Sequence, residues 1–226
     1  MSASRVSRML FAFLLAAGIF FAACRASGAA GKALPSPEVD SAVASATGEE
    51  TVVLAGGCFW GIQAVFQHLN GVSRAVSGYS GGSAKTADYE TVSEGRTGHA
   101  ESVEVTYDPS QITFGRLLQV FFSVAHDPTE FNRQGPDTGT QYRSVIFYRS
   151  PEQKRIAETY IAQLDKAGVF PRRIVTQVVE LKGFYPAEEY HQNYAARHPD
   201  NPYIVYNDAP KVTHLQQQFP ELYRAK

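Results

Sequence analysis

Sulfur is scarce in this sequence. Its 226 residues include two cysteines, Cys24 and Cys58, and two methionines, Met1 and Met9. Two thiols are too few for a four-cysteine zinc site. They allow at most one intramolecular disulfide, which excludes a disulfide-framed fold. Excess charge of one sign is also missing. The 21 basic and 22 acidic side chains leave a formal charge of −1, so no basic field points to nucleic acid. No apolar run is long enough to cross a bilayer. Leu10 to Ala23 has 14 residues, against the ~20 that a spanning helix needs. What remains, 44% hydrophobic and 19% charged, is ordinary globular composition.

The short apolar run follows Arg5 and Arg8 with no acid before it, the layout of an export signal. Residues 1–24 are read as that signal. They end in Phe21-Ala22-Ala23-Cys24, which resembles the lipobox of bacterial lipoproteins, where the cysteine is lipidated and becomes the new N-terminus. Leucine is usual where this chain has Phe21. Cleavage near Ala26 or Ala30 instead would release a soluble exported protein. The expectation is a bacterial protein, periplasmic or membrane-anchored, whose tie to the membrane is a lipid on Cys24. Cleavage before Cys24 leaves 203 residues with no methionine and with Cys58 as the lone free thiol. Residues 25–49, rich in Ala, Gly, Ser and Pro, are expected to be a flexible tether. Residues 50–226 are expected to form one domain, and nothing points away from a monomer.

Within that domain, Thr51 to Ala55 is a β-branched apolar run, a buried strand. Ile62, Val65, Phe66 and Leu69 place a helix over 59–69. A second strand spans 72–79. Val103 and Val105 alternate with Glu104 and Thr106 in a third, over 102–107. Phe114, Leu117, Leu118, Phe121, Phe122 and Ala125 mark a helix. A strand at 144–148 follows. Ser150-Pro151-Glu152 opens another helix, which Gly168 closes. A strand over 174–181 and a short helix over 187–197 complete the pattern. The class is α+β, a two-layer sandwich of helices on a mixed sheet with a ferredoxin-like core.

Gly56-Gly57-Cys58-Phe59-Trp60-Gly61 is the strongest chemical signal. Glycines permit a tight strand-to-helix turn. A cysteine at the first turn of a helix faces free N–H groups and the positive dipole end, which favour a nucleophilic thiolate. Phe59 and Trp60 do not share a helix face, so at least one is free to line a site beside the thiol. His99, His126 and His191 lack paired ligand spacing, so no metal site is expected.

Gly57-Cys58-Phe59-Trp60-Gly61 resembles the signature of the A-type peptide-methionine sulfoxide reductases. Further matches run down the chain in order. They include Ser77-Gly78-Tyr79, Tyr89-Glu90, Gly98-His99-Ala100-Glu101, His126-Asp127-Pro128-Thr129, Asp137, Gly139 to Ser144, and Glu188 to Gln192 with Tyr194 after one extra residue, Asn193. The resemblance covers about 51–224. It implies that Cys58 attacks the sulfur of a methionine S-sulfoxide and that Glu101 protonates its oxygen. Glu101 then needs an apolar pocket that keeps it protonated. It implies further that Tyr89 and Tyr142 donate hydrogen bonds to that oxygen and that Phe59 and Trp60 hold the methyl group. Asp137, Tyr190 and His191 are placed near the substrate backbone. Substrates would be oxidised proteins or peptides, and no bound cofactor is implied. Many family members carry resolving cysteines near the C-terminus. This chain has none after Cys58, so a Cys58 sulfenic acid is expected to be reduced by an external thiol, a thioredoxin-like partner or a small thiol. A thiol peroxidase would need a peroxide-binding motif beside the thiol, and a non-catalytic binding module would leave the motif series unexplained.

Overall fold

A computed structural model describes residues 33–225. The export signal, Cys24 and the first part of the expected tether lie outside the described residues. Six strands form one sheet. They are β1 (Glu50–Ala55), β2 (Val72–Ser80), β3 (Ala100–Tyr107), and, beyond a small hairpin of β4 (Arg133–Gln134) and β5 (Asp137–Thr138), β6 (Val145–Tyr148), β7 (Gln177–Glu180) and β8 (Phe184–Pro186). The order across the sheet is β7-β6-β1-β3-β2-β8. β6 and β7 run parallel and the other neighbours antiparallel, so the sheet is mixed. The run β6-β1-β3-β2 is the split βαβ order of a ferredoxin-like core, as the sequence predicts.

Alternation along the strands divides the apolar side chains. Val52, Leu54, Val103 and Val105 belong to the main core, while Val53, Ala55, Val145 and Phe147 form a smaller cluster. Helix α1 (Phe59–Gln67) buries Ile62, Val65 and Phe66 in the main core. Each such side chain contributes about 1.5–3 kcal/mol, and together they hold the start of α1 against the sheet. The later helices are α2 (Tyr89–Ser93), α3 (Phe114–Val120), α4 (Pro151–Ala167), α5 (Tyr194–Arg197) and α6 (Ala209–Gln218). None of the described helices is long and apolar enough to cross a membrane.

Three expectations change. The first described part of the tether is packed: Ala33, Leu34 and Val39 sit against the core, while residues 42–49 are mostly exposed. Tyr160 Oη donates to Pro35 O at 2.7 Å. Asp40 accepts from Thr113 Oγ1 and from Gly115 N at 2.7 Å, where a carboxylate gains from the N-terminus of α3. The expected helix over 114–125 is α-helical to Val120 and continues as a π turn over Phe121–Ala125. The expected helix over 187–197 is a 3₁₀ turn, Glu189–His191, followed by α5. Asn193, the extra residue, breaks it with φ 57°. Gln192 explains the break. Its side chain accepts from Ser77 N and Gln63 Nε2 and donates to Ser77 O and Ala187 O, bonds that an uninterrupted helix could not place.

Replacing Gln192 with Ala leaves several of these partly buried groups unpaired, each costing about 1–3 kcal/mol. The expected outcome of Gln192→Ala is a Tm lowered by about 2–4 °C per kcal/mol lost. A thermal melt that coincides with the parent protein would disprove the pinning role.

Candidate active site

The strand-to-helix turn after β1 builds the site. Gly57 adopts φ 98°, and a Cβ there would stand 2.5 Å from the Gln134 side chain. Both facts require glycine. Cys58 follows as the N-cap residue of α1. β3 lies beside this turn, and Glu101 near its start accepts from the Phe59 N–H through Oε2 at 3.1 Å. Tyr89 is the first residue of α2, which Asp88 caps. The Tyr89 N–H donates to Glu188 Oε1 at 2.9 Å, and Tyr79 Oη donates to Glu188 Oε2 at 2.9 Å, so one carboxylate ties three segments. Tyr142 ends the 3₁₀ turn Thr140–Tyr142, and Asp137 comes from β5.

These pieces meet around a cavity of about 200 Å³, lined by Cys58, Phe59, Trp60, Tyr89, Glu101, Asp137, Tyr142 and Tyr203. All four expected catalytic side chains are present, with three of the five expected substrate contacts. The other two lie apart from the lining. Tyr190 is 54% exposed. His191 is buried behind the aromatic wall, where Nδ1 accepts from Trp60 Nε1 at 3.2 Å and the ring lies 5.0 Å from Phe59. Trp60 is held from the far side by Tyr194, stacked at 3.7 Å. Tyr203 is the wall residue that sequence reasoning missed. Its ring meets Trp60 edge-on at 5.8 Å and its hydroxyl donates to Asp137. It sits in a Pro- and Asn-rich stretch with no periodicity to single it out.

Burial decides the electrostatics. Glu101 is 3% exposed and its carboxyl is pushed up to about 8. Loss of hydration is the main cause, opposed by the Phe59 N–H and reinforced by Asp137 and Asp208. It is therefore a proton donor at neutral pH. Cys58 departs from expectation. Burial, then Glu101 and Asp208, hold its thiol well above the ordinary range, and the Trp60 N–H pulls it down only in part. The helix terminus is outweighed, so the resting group is a thiol rather than a thiolate. Asp137 is also raised by burial, against the hydrogen bond from Tyr203. Tyr142 and Tyr203 are raised, again chiefly by burial, and keep their protons for donation.

The three histidines enter hydrogen bonds, His191 through Nδ1 only, since its buried Nε2 has no partner among the described residues. His99 receives the Gly82 N–H at Nδ1 and faces Ser83 O through Nε2. His126 bridges Phe121 O and Ser144 Oγ, and burial pushes it down to about 3. Among the described residues no group of three His, Cys, Asp or Glu is placed to hold a metal ion.

A cysteine sulfur, a protonated carboxyl and phenolic donors around one small aromatic-walled cavity suit the transfer of oxygen from a small sulfur centre. Comparison with known proteins agrees. The family described as peptide methionine sulfoxide reductase matches residues 50–223. Peptide methionine sulfoxide reductase MsrA 2 of Mesorhizobium japonicum is 63% identical over 182 residues, 80% of this chain and 93% of the relative. The MsrA 2 of Synechocystis is 49% identical over 86% of this chain and 92% of its own length. Among solved structures, methionine sulfoxide reductase A of Corynebacterium diphtheriae superposes with a TM-score of 0.59 at 37% identity, covering 76% of this chain and 86% of that one. Reduced Mxr1 of Saccharomyces cerevisiae gives 0.60 at 34% identity, covering 73% and 92%. A match over almost the whole folded part gives one placement: the chain belongs to the A-type peptide methionine sulfoxide reductases.

Proposed function

We propose that this reductase takes methionine S-sulfoxide in oxidised proteins and peptides and reduces it at Cys58 through a sulfenic acid. One observation carries the reading: Cys58 and a protonated Glu101 share a cavity of about 200 Å³. Cys58 attacks the sulfoxide sulfur while Glu101 protonates the oxygen, which is otherwise a poor leaving group. Tyr89 and Tyr142 donate hydrogen bonds to that oxygen. Phe59 and Trp60 enclose the methyl group, and Asp137 faces the substrate backbone. In net terms the oxygen passes from the substrate sulfur to Cys58. The substrate sulfur is reduced by two electrons, and the thiol becomes a sulfenic acid.

Cys58 is the one free cysteine among the described residues. Two external thiols therefore complete the cycle, regenerating the Cys58 thiol and leaving a disulfide and water. They come from a thioredoxin-like protein or a small thiol. The apolar run behind Arg5 and Arg8 and the lipobox-like Cys24 support export, a lipid anchor and the repair of exported proteins.

Cys58→Ser is expected to lower turnover of a methionine S-sulfoxide peptide by at least about 10³-fold. Mass spectrometry of the native protein mixed with substrate alone should find one added oxygen on Cys58 and no bond to Cys24. A Cys24–Cys58 disulfide in the exported form would overturn direct recycling by an external thiol. Glu101 is protonated below about 8, so kcat/KM should fall as pH rises through that value. Glu101→Gln should remove this limb and cost about 10²–10⁴-fold. The same variant has a stability signature. The unfolded carboxyl ionises near 4.5 and the folded one near 8, so wild-type stability declines between these values. Glu101→Gln should therefore raise the Tm more at pH 8 than at pH 4, and an equal change at both pH values would refute the buried-acid assignment. Fatty-acid labelling that Cys24→Ala abolishes is the expected result for the anchor, and undiminished labelling would exclude it.

A further inference from the structure

An ion pair lies against α1 that the steps above do not use. Positions three apart on a helix share a face, so Gly61 stands one turn along the face that Cys58 begins. A Cβ on Gly61 would lie 2.1 Å from Asp208 Oδ1 and 2.7 Å from Lys211 Nζ. The pair is thus pressed onto the helix backbone beside the nucleophile, which explains why the residue after Phe59-Trp60 is glycine. Lys211 Nζ donates to Asp208 Oδ1 at 3.0 Å. Asp208 is completely buried, and its Oδ2 has no hydrogen-bond partner among the described residues. A buried carboxyl with one oxygen unused is costly, and such groups call for an explanation beyond stability.

The chain path supplies a second observation. Tyr203, on the cavity wall, leads directly into a π turn over Ile204–Asp208 and then into α6, which carries Lys211. π turns are rare and recur at functional sites. One continuous segment therefore provides both the cavity wall and the ion pair behind the nucleophile. The titratable groups around Cys58 are Glu101 from β3, Asp137 from β5, Asp208 and Lys211 from this segment, and the phenols of Tyr89, Tyr142 and Tyr203. His126 packs against Gly56 on the other side of the turn and is neutral. Lys211 is the cation of the set.

We propose that Asp208 and Lys211 are positioning residues that set the protonation of Cys58. Lys211 supplies the positive charge that a buried thiolate needs in order to form. Asp208 fixes that ammonium under Gly61 and, through its own charge, keeps the resting group a thiol. The directions of their influence agree: Asp208 raises the Cys58 thiol and Lys211 lowers it. The inference rests on Cys58 being the nucleophile.

Alkylation of Cys58 by iodoacetamide, followed against pH and mapped to the Cys58 peptide, tests it in the full chain. The thiolate is the reacting form, and one pH unit of displacement is about tenfold in rate at fixed pH below the midpoint. Lys211→Met is expected to shift the curve to higher pH, and Asp208→Asn to lower pH, each by about one unit. Opposite signs are the signature of a charge effect, since loosened packing would move both the same way. Each variant has its own expected sign, so loss of folding in one leaves the other decisive. Curves that coincide with the parent, or two shifts of the same sign, overturn the proposal. The assay uses no sulfoxide, so its failure is distinguishable from failure of the reductase reading, which Cys58→Ser decides.

Discussion

A carboxyl without water, set against the first N–H of a helix, is the contact on which the site depends. The sheet order makes it unavoidable. β1 and β3 run antiparallel with Leu54 opposite Val103, so the chain leaving β1 passes beside the start of β3, where Glu101 stands. α1 then begins at Phe59, and its N–H reaches Glu101 at 3.1 Å. Because α1 must cross β3 to reach β2, the helix also roofs the carboxyl and excludes water. The topology that brings acid and sulfur together is the same one that keeps the acid protonated.

Local rules and tertiary context disagree at Cys58, and magnitudes decide between them. A helix N-terminus favours an anion by about 0.3–1 kcal/mol at an exposed position. Removing an anion from water costs several kcal/mol even after relaxation, and Asp208 adds like-charge repulsion. The thiol therefore stays protonated at rest. A peptide containing only the glycine turn and the first helical residues would behave differently, with a lower thiol pKa. The reactive form must be created by something that arrives or by the charges already around the sulfur.

The fold was largely legible because its elements advertise themselves locally. Val52 and Leu54 against Val53 and Ala55, or Ile62, Val65 and Phe66 on α1, are periodic signals within a few residues. Asp40 was not legible: nothing in an Ala- and Ser-rich stretch says that one carboxylate will cap α3. Gln192 was not legible either, since its partners Ser77 and Gln63 are 115 and 129 residues away. The site divides the same way. Cys58 follows from its glycines. Glu101, Tyr89, Tyr142 and Asp137 carry no local mark and emerged through resemblance to the reductase family. Tyr203 meets Asp137 across 66 residues, and Asp208 acts through Gly61. Neither has a neighbour in sequence that could have revealed it.

The scarcity of sulfur ends as a property of the folded protein. The two methionines are residues 1 and 9, so the described domain contains none. Its interior is filled instead by Phe59, Phe66, Phe114, Phe121, Phe122, Phe147 and Phe219 with Tyr79, Tyr107 and Tyr160. Methionine is the usual filler of irregular gaps because it is flexible and polarisable, and its sulfoxide is polar enough to disrupt a core. Stiff rings packed edge to face, such as Phe121 and Phe122, close the same gaps by shape. The consequence is chemical as well as mechanical. In the described domain the one sulfur atom is Cys58, and it is 8% exposed at the wall of its own cavity. An oxidant that reaches the domain finds no methionine to damage, and the one thiol it can meet there is Cys58, at the cavity wall.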